Sequence, residues 1–351
     1  MTGRFILERN MKVELISVIL TVRNEERFIK DCVDSILESE LPEDVDFEVI
    51  VVDGLSTDTT NSIIEAEYGS NERVRLVPND KITQAAGINL GIKASQADWI
   101  AWFGAHSVYD KHYLGGLLKS AKKSGADYTG GAIETLPYDD SFTASIVQAL
   151  TTHKFGVGNS GFRTHRPEGP ADTASYGLFK AAVFEKVGLF EERLVRTQDY
   201  EMNSRIRQAG GLIWLNPNLI VQYFNVASVG KFLKKQLTQQ GPYNIYMWYL
   251  APYTINPRHA ATGLFVLFLL GGAILSSLSS VIFYLWAFIL ALYGVLSIFS
   301  SIQQGLRLRN LLLIPILPFM FLSFHLSHGI GMWSGIFRLV LGRAPVQKEV
   351  G

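Results

Sequence analysis

The sequence predicts an α/β domain built on a doubly wound parallel sheet and followed by C-terminal transmembrane helices. Short apolar runs alternate with helical patterns in the first hundred residues, which is typical of βαβ units. Farther along, no Asp, Glu, Lys or Arg occurs from His259 to Leu306 or from Asn310 to Phe337. Because a membrane-spanning helix needs ~20 apolar residues, these charge-free stretches are long enough to cross a bilayer.

Four runs rich in β-branched and aromatic residues predict the first strands of the sheet. They are LISVILTV (15–22), FEVIVV (47–52), VRLVP (74–78) and DWIAWF (98–103). The segments between them, EERFIKDCVDSILES, STDTTNSIIEAEY and TQAAGINLGIKAS, predict helices. In such sheets ligands bind beyond the carboxyl ends of the strands, so the polar residues there should converge on one crevice. These residues are Thr21, Arg23, Asn24, Glu25, Asp53, Ser56, Asp58, Asn79, Lys81 and His106.

The C-terminal apolar stretches predict about three membrane spans. The first stretch is long enough for two, roughly 261–279 and 281–302, and the second for one, roughly 311–333. Because the third region contains Pro315 and Pro318, the sequence is compatible with either a membrane span or a re-entrant hairpin there. Lysines and tyrosines in the segment before the spans favour helices that lie in the membrane interface. The predicted division is a catalytic domain (1–227), amphipathic interfacial helices (228–258), a transmembrane region (259–337) and a tail (338–351).

The net charge and the N-terminal sequence limit which partners and which cellular location are expected. The formal net charge is +0, which argues against nucleic acid as the main partner. The first apolar run, 15–22, is short and leads straight into RNEER without a small-residue cleavage pattern. We therefore expect a multi-pass protein of the cell membrane whose catalytic domain is cytoplasmic. Arg307 and Arg309, between the second and third predicted spans, fit the positive-inside rule, and the oligomeric state stays open.

Five segments, in order, carry a resemblance to a known family. They are SVILTVRNEE, VIVVDGLSTDTT, ITQAAGINLGIKASQADWIAWFGAH, PADTASYGLFKAAVFEKVGLFEE and RTQDYEMNSRIRQAGG. From about residue 14 to 245 the chain resembles the inverting family 2 glycosyltransferases of GT-A fold. Within that family it is most similar to the membrane-anchored branch of the succinoglycan glucosyltransferase ExoA. The resemblance implies a nucleotide-diphosphate sugar as donor and a lipid-linked saccharide as acceptor, in surface polysaccharide or glycan assembly.

The donor site is predicted at the strand ends. Asp53 ends a strand, where its carboxylate can accept hydrogen bonds from a base or a ribose hydroxyl. Lys81 and Gln84 precede a helix whose first N–H groups could meet phosphate. With the roles that the resemblance implies, the nucleotide-sugar-binding residues are Thr21, Arg23, Glu25, Asp53, Lys81 and Gln84. The alternatives are a plain turn at Asp53, a helix cap at Asp58 and a solvent-facing Lys81.

The triplet Gly104-Ala105-His106 stands where the family carries the metal-binding D-x-D. The resemblance makes His106 a metal ligand, since D-A-H is common in this branch, whereas Gly104 replaces the first carboxylate. Imidazole suits Mn²⁺ but is a poor ligand for Mg²⁺, which prefers oxygen. We predict a divalent metal, Mn or Mg, at His106, weakened by the missing carboxylate. The alternative is a histidine that hydrogen-bonds the diphosphate directly.

Asp199 in TQDYE is the predicted catalytic base. An inverting transfer needs a carboxylate that takes the proton of the acceptor hydroxyl, and the resemblance places an E-D or Q-D pair here. The alternative is that Asp199 only caps a helix. The residues predicted to meet the acceptor or the diphosphate are Arg163, Arg166, Asp172, Gln198 and Gln236. Gln236 is followed by Leu-Thr-Gln, so the Q-x-x-R-W motif of processive synthases is absent.

Three functions remain open on the sequence. The favoured one is an inverting glycosyltransferase acting on a lipid-linked acceptor. A polyprenyl-phosphate sugar synthase is the first rival, because its acceptor is already an anion and needs no strong base. The second is a catalytically silent nucleotide-sugar-binding membrane subunit, which the loss of the carboxylate at Gly104 suggests. His325 and His328, at helical spacing in the last apolar region, are expected to form interhelical hydrogen bonds.

Overall fold

A computed structural model describes residues 13–158, 162 and 167–346. The strands are β1 (Glu14–Val22), β2 (Val45–Asp53), β3 (Val74–Pro78), β4 (Trp99–Gly104), β5 (Ser107–Tyr109), β6 (Tyr128–Leu136), β7 (Gly169–Pro170), β8 (Leu178–Lys180) and β9 (Ile213–Phe224). The helices are α1 (Ile29–Leu37), α2 (Thr60–Tyr68), α3 (Gln84–Ala94), α4 (Tyr113–Ser124), α5 (Phe142–Thr151), α6 (Lys154–Val157), α7 (Ala182–Val187), α8 (Gln198–Gln208), α9 (Val229–Lys235), α10 (Gly241–Leu250), α11 (Pro257–Leu275), α12 (Ser280–Arg307) and α13 (Leu317–Val340). A π-helical segment, Gln236–Gln240, joins α9 to α10.

One mixed sheet runs through the domain in the order β3-β2-β1-β4-β8-β6-β9-β5, with β7 paired to β9. The first four strands pair in parallel, as the sequence predicts. β8 is antiparallel to both β4 and β6, and β6 and β9 are again parallel. The predicted α/β fold is therefore confirmed, while its second half is mixed rather than purely parallel.

Helices cover both faces of the parallel strands, which explains their apolar sequences. Along β1, Val18 and Leu20 are fully buried in the cluster that includes α1 and α4, whereas Ile19 is buried on the opposite face with α3. Each such side chain contributes roughly 1.5–3 kcal/mol through burial. α3 comes so close to the sheet that a Cβ on Gly91 would lie 2.6 Å from Ile19 Cγ2.

The parallel strands end at one edge of the sheet. In the register of the pairs, Asp53 lies beside both Val22 and Pro78, and Thr21 lies beside Gly104. This places the turns after β1, β2, β3 and β4 next to one another. The crevice predicted from the sequence therefore forms at this edge.

Within the described residues, α11 and α12 are the two helices long and apolar enough to cross a membrane. Both expose large apolar side chains, such as Leu270 at 65% and Phe288 at 66%. Contiguous exposed apolar surface of this kind is typical of a lipid-facing or partner-facing wall. The predicted third span falls on α13, which is 24 residues long but does not reach the same mean hydropathy. A third crossing stays a prediction.

Glycines let α13 pack closely against its neighbours. A Cβ on Gly329 would lie 2.3 Å from the Thr262 carbonyl oxygen of α11, and one on Gly331 would lie 2.6 Å from the Leu237 carbonyl oxygen. Small residues at such contacts are the usual means by which membrane helices approach each other.

The expected interhelical hydrogen bonds of the two histidines are confirmed. The ring nitrogens of His325 lie 2.9 Å from the Tyr293 hydroxyl of α12 and 2.9 Å from the Phe155 carbonyl oxygen of α6. His328 Nδ1 lies 2.7 Å from the Thr262 hydroxyl of α11.

The end of α12 is also fixed to the sheet domain by polar contacts. Gln304 Nε2 donates to the Ala149 carbonyl oxygen at 2.6 Å, and the Arg307 guanidinium donates to the Thr152 carbonyl oxygen at 3.0 Å. Gln304 is fully buried, so its bond replaces hydration that the amide loses. The long apolar helix and the α/β domain are thus directly joined.

Candidate active site

The turns that follow β1 and β2 are joined by hydrogen bonds. Asn24 Oδ1 accepts from the Thr57 N–H at 2.8 Å, and the Glu25 N–H donates to Thr60 Oγ1 at 2.8 Å. Asp58 accepts from the Glu26 N–H at 3.2 Å and from the Thr60 N–H at 3.0 Å. Asp58 therefore accepts from the first N–H of α2 from the position before the N-cap residue, Thr59, and it also fixes the neighbouring turn.

Asp53 is a buried carboxylate at the centre of the crevice, 4% exposed. It accepts hydrogen bonds from the Ser56 N–H at 3.0 Å, from the Ser56 hydroxyl and from Asn61 Nδ2 at 3.0 Å. A carboxylate offers about four lone-pair sites, so these local donors leave capacity for one donor of a bound base or ribose. Thr21 Oγ1, on the adjacent strand β1, is buried and has no hydrogen-bond partner among the described residues.

Lys81 and Gln84 point in different directions. Lys81 is 71% exposed and its Nζ lies 2.6 Å from Glu192 Oε2. Lys81 and Asn89 hold the pKa of Glu192 below its usual range. An exposed pair of this kind contributes little to stability. Gln84 instead accepts from Gln198 Nε2 at 2.7 Å, which joins the start of α3 to the start of α8.

His106 is paired with a carboxylate that the sequence reasoning assigned to the nucleotide. Its Nδ1 lies 2.9 Å from Oε2 of Glu25, whose side chain is largely buried. The imidazole packs edge-on against the Phe28 ring, 5.6 Å between centroids, and against Tyr223 at 6.4 Å. The two atoms are close but are not aligned as a hydrogen bond, since Nδ1 has no hydrogen-bond partner among the described residues. The Glu25 carboxylate and the rings of Phe28 and Tyr223 together surround the imidazole.

Gly104 has a steric reason for being glycine. A Cβ at this position would lie 2.7 Å from Cε1 and 2.9 Å from the hydroxyl oxygen of Tyr176. The backbone N–H of Gly104 also donates to the Tyr109 hydroxyl at 2.8 Å. The Tyr176 ring therefore occupies the space into which the first carboxylate of a D-x-D triplet would project.

Asp199 lies in the first turn of α8 and is half-buried. The N-cap residue is Thr197, which holds a left-handed φ of 66° and makes no side-chain capping bond. Asp199 therefore does not occupy the cap position of the alternative interpretation. The positive end of the helix dipole favours a carboxylate in this turn. In the same turn, Glu201 pairs with Arg205 of the next turn at 2.7 Å.

Arg196 is a site residue that the sequence reasoning missed. Burial lowers the pKa of this guanidinium, while Tyr223 and Asp199 nearby act in the opposite direction. Its Nε donates to Gln239 Oε1 at 3.0 Å. An arginine directly before TQD matches no known motif, so the sequence does not mark it. The folded structure shows that it lies close to both Asp199 and Tyr223.

Left-handed backbone at residues other than glycine concentrates around the crevice. Of six such residues in the described ranges, five lie in its bordering turns, and Arg309 is the exception. The five are Asn24, Leu55, Ile82, Tyr176 and Thr197. Such conformations cost about 1–3 kcal/mol each and persist where the surroundings enforce them, often at functional sites.

A comparison of the sequence with family profiles identifies the domain. The profile of "Glycosyl transferase family 2" matches residues 17–188, which include Asp53, Gly104 and His106. These residues form a family 2 glycosyltransferase domain. The predicted family is thereby confirmed, and the chain is a glycosyltransferase.

Two curated relatives of this glycosyltransferase show how far the likeness extends. It is 25% identical over 344 residues to the dolichyl N-acetyl-alpha-D-glucosaminyl phosphate 3-beta-D-2,3-diacetamido-2,3-dideoxy-beta-D-glucuronosyltransferase of Methanococcus voltae, covering 93% of the chain and 98% of the relative. It is 26% identical over 209 residues to the succinoglycan biosynthesis protein ExoA of Rhizobium meliloti, covering 59% of the chain and 62% of that protein.

A solved structure supports the fold of this glycosyltransferase. The mannosyltransferase PcManGT from Pyrobaculum calidifontis, in complex with GDP-Man and Mn²⁺, superposes with a TM-score of 0.57 at 16% identity. The match covers 89% of this chain and 86% of that one. At this identity the likeness shows the shared GT-A architecture.

The predicted acceptor-side residues of the glycosyltransferase are divided between two places. Gln198 contacts the donor-side Gln84, whereas Asp172 and Gln236 are associated with the C-terminal helices. Asp172 Oδ2 pairs with Arg258 at 2.7 Å, at the start of α11. Gln236 is buried at the start of the π-helical segment. Arg163 and Arg166 lie outside the described residues. Arg23 is exposed at the rim of the crevice.

Proposed function

We propose that this chain is a membrane-anchored inverting glycosyltransferase that moves a sugar from a nucleotide-diphosphate sugar to a lipid-linked saccharide. The observation that carries the proposal is the position of Asp199 in the first turn of α8. The preceding residue, Gln198, is bonded directly to Gln84 on the donor side. A carboxylate is thus held next to the donor crevice, on the side where α11 begins.

The relatives and the C-terminal helices support the lipid-linked acceptor. The Methanococcus voltae enzyme, alike over nearly its whole length, is named for a dolichyl phosphate-linked sugar as its acceptor. The two long apolar helices would hold the catalytic domain at a membrane surface where such an acceptor lies. We place that domain on the cytoplasmic side of a multi-pass protein in the cell membrane.

The proposed chemistry is a single displacement. Asp199 takes the proton of the acceptor hydroxyl, and the hydroxyl oxygen forms a bond to the anomeric carbon of the donor sugar. The bond from that carbon to the diphosphate oxygen breaks on the opposite face, so the nucleoside diphosphate leaves and the configuration inverts. Arg196, held beside Asp199 by Gln239, adds positive charge at the site of this charge movement.

The donor set at His106 fits a metal held mostly by the diphosphate. No group of three His, Cys, Asp or Glu side chains that could hold an ion is found in the described part of the chain. His106 would hold the ion through Nε2, with the Glu25 carboxylate 2.9 Å from Nδ1 on the other side of the ring. A divalent ion at this place neutralises the charge that develops on the leaving diphosphate. A single imidazole with no neighbouring carboxylate ligand favours Mn²⁺ over Mg²⁺.

Replacing His106 by Ala should weaken the effect of Mn²⁺ on nucleotide binding. We expect Mn²⁺ to tighten binding of the nucleoside diphosphate in the wild type and to do so about tenfold less in H106A, since ligands and their supporting groups typically alter metal affinity 10–100-fold. Calorimetric titration with and without Mn²⁺ measures this. His112, exposed six residues farther on, provides the matched control H112A. Equal Mn²⁺ dependence in all three proteins would contradict the metal assignment.

A donor screen tests the proposed function. Purified full-length protein in lipid nanodiscs would be given different nucleotide-sugars and a membrane lipid extract, with and without Mn²⁺ and Mg²⁺. Release of the nucleoside diphosphate that depends on the extract and yields a lipid-soluble glycoside of inverted configuration is the expected result. Nucleotide binding without turnover on any donor would instead support the silent-subunit alternative.

A further inference from the structure

A cavity of about 790 Å³ lies between the glycosyltransferase domain and the C-terminal helices. Its domain side is formed by α6 and the end of β9, and the opposite side by α9, the π-helical segment and the apolar helices α11, α12 and α13. The polar side chains of Gln236, in the π-helical segment, and Asn244, in α10, also line the cavity. The cavity is separate from the strand-end crevice that holds Asp53, so the nucleotide does not account for it.

Cationic side chains line the cavity. Lys154, Lys235 and Arg258 belong to its wall, and no aspartate or glutamate occurs among the described residues of that wall. Arg258 also pairs with Asp172, which lies outside the wall. Lysine and arginine side chains are the groups that recognise phosphate oxygens.

Aromatic side chains of the long helices form another part of the wall. Phe265 of α11 stacks on Tyr293 of α12 with centroids 4.7 Å apart, and Phe324 of α13 also lines the cavity. Both rings of the stack belong to the helices that could cross a membrane. The wall thus combines cationic side chains with an aromatic surface from the apolar helices.

Two contacts connect the cavity with the catalytic residues. Tyr223, which lines it, packs against both His106, at 6.4 Å, and Tyr176, at 6.1 Å. Arg258 lies over the ring of Tyr200, the residue after Asp199, at 5.5 Å. A ligand in the cavity is therefore next to both the leaving-group side and the base side of the site.

We propose that this cavity binds the phosphate end of the lipid-linked acceptor, with Lys154, Lys235 and Arg258 recognising the phosphate and the aromatic wall receiving the hydrocarbon chain. The inference rests on the proposed function, which supplies the lipid-linked acceptor. The anchored phosphate would leave the saccharide to extend past Arg258 and Tyr200 toward Asp199. The combination of cationic and aromatic side chains in one wall selects a phosphorylated lipid over a free saccharide or a neutral lipid.

Neutralising the lysines should weaken binding of a polyprenyl phosphate. In full-length protein in neutral-lipid nanodiscs, we expect the double variant K154Q/K235Q to bind undecaprenyl phosphate about tenfold or more weakly, while its affinity for the nucleoside diphosphate is unchanged. The matched control is K234Q, since Lys234 is the exposed neighbour of Lys235 on α9 and does not line the cavity. Unchanged binding in the double variant, or an equal loss in K234Q, would overturn the proposal.

A second variant keeps the test independent of charge. Replacing Phe265 by the larger tryptophan should lower affinity for undecaprenyl phosphate, because the indole takes up space beside the aromatic wall that the hydrocarbon chain would occupy. Binding of inorganic pyrophosphate should stay unchanged, because the cationic side chains are not altered. The control is F288W, at a position 66% exposed on α12. If pyrophosphate binds as tightly as undecaprenyl phosphate, or if phosphatidylglycerol competes equally well, the site does not recognise a lipid-linked acceptor and the proposal fails.

These binding measurements are separable from the proposed function. Undecaprenyl phosphate binding that depends on the lysines, in a protein that turns over no donor, would leave the cavity assignment standing and reject the transferase mechanism. Turnover on a lipid extract that is unaffected in K154Q/K235Q and F265W would reject the cavity assignment and leave the transferase mechanism standing.

Discussion

The variant D199N should lose about three orders of magnitude in turnover on a lipid-linked saccharide. A positioned general base contributes about 10²–10⁴-fold, and the amide cannot accept the hydroxyl proton. The substitution is close to isosteric, so nucleotide affinity and the melting temperature should change little. Product formation under single-turnover conditions, with nucleotide binding measured in parallel, checks this.

The matched control is E185Q, which removes an exposed carboxylate from the first turn of the neighbouring helix α7. It alters the interaction of a side-chain charge with a helix dipole in a similar way without touching the crevice. Full activity in D199N would reject Asp199 as the base and favour the polyprenyl-phosphate sugar synthase, whose anionic acceptor has no proton to lose.

The second large effect is expected at Gly104. Introducing an aspartate to restore D-x-D should destabilise the protein, because Cβ would lie 2.7 Å from the Tyr176 ring. Overpacking of this kind costs about 1–3 kcal/mol, and each kcal/mol lowers the melting temperature by roughly 2–4 °C in a domain of this size. Thermal unfolding of G104D measures the loss.

Removing the ring should rescue that variant. In G104D/Y176A the combined loss of stability should be smaller than the sum of the two single losses, since the clash is gone. The new carboxylate should then tighten Mn²⁺ binding relative to Y176A alone. The control is G230D, where a Cβ meets nothing closer than Ser228 Oγ at 3.8 Å. Additive losses in the double variant would show that Tyr176 is not what excludes the carboxylate.

The first half of the fold could be predicted because its signals are local. The runs at 15–22, 47–52, 74–78 and 98–103 match β1 to β4 within a few residues, since alternation of apolar strands and helices is written in the sequence itself. The antiparallel insertion of three-residue β8 between β4 and β6 could not be predicted, because a strand so short has no periodic pattern.

The site was predictable only where a motif falls at a strand or helix end. Asp53 and Asp199 lie at such ends. By contrast, the pairing of Glu25 with His106 and the contact of Tyr176 with Gly104 join residues more than seventy positions apart, and nothing in either local sequence indicates them. The pair of Lys81 with Glu192 likewise joins residues 111 positions apart, so the local sequence does not indicate it.

The bonds from Gln304 and Arg307 to α5 and the turn that follows it have a consequence for acceptor length. Because the long apolar helix is joined directly to the α/β domain, the proposed membrane anchoring would fix the height of Asp199 above a bilayer. An acceptor saccharide would then have to reach that height from its lipid, and its length would become a criterion of selection.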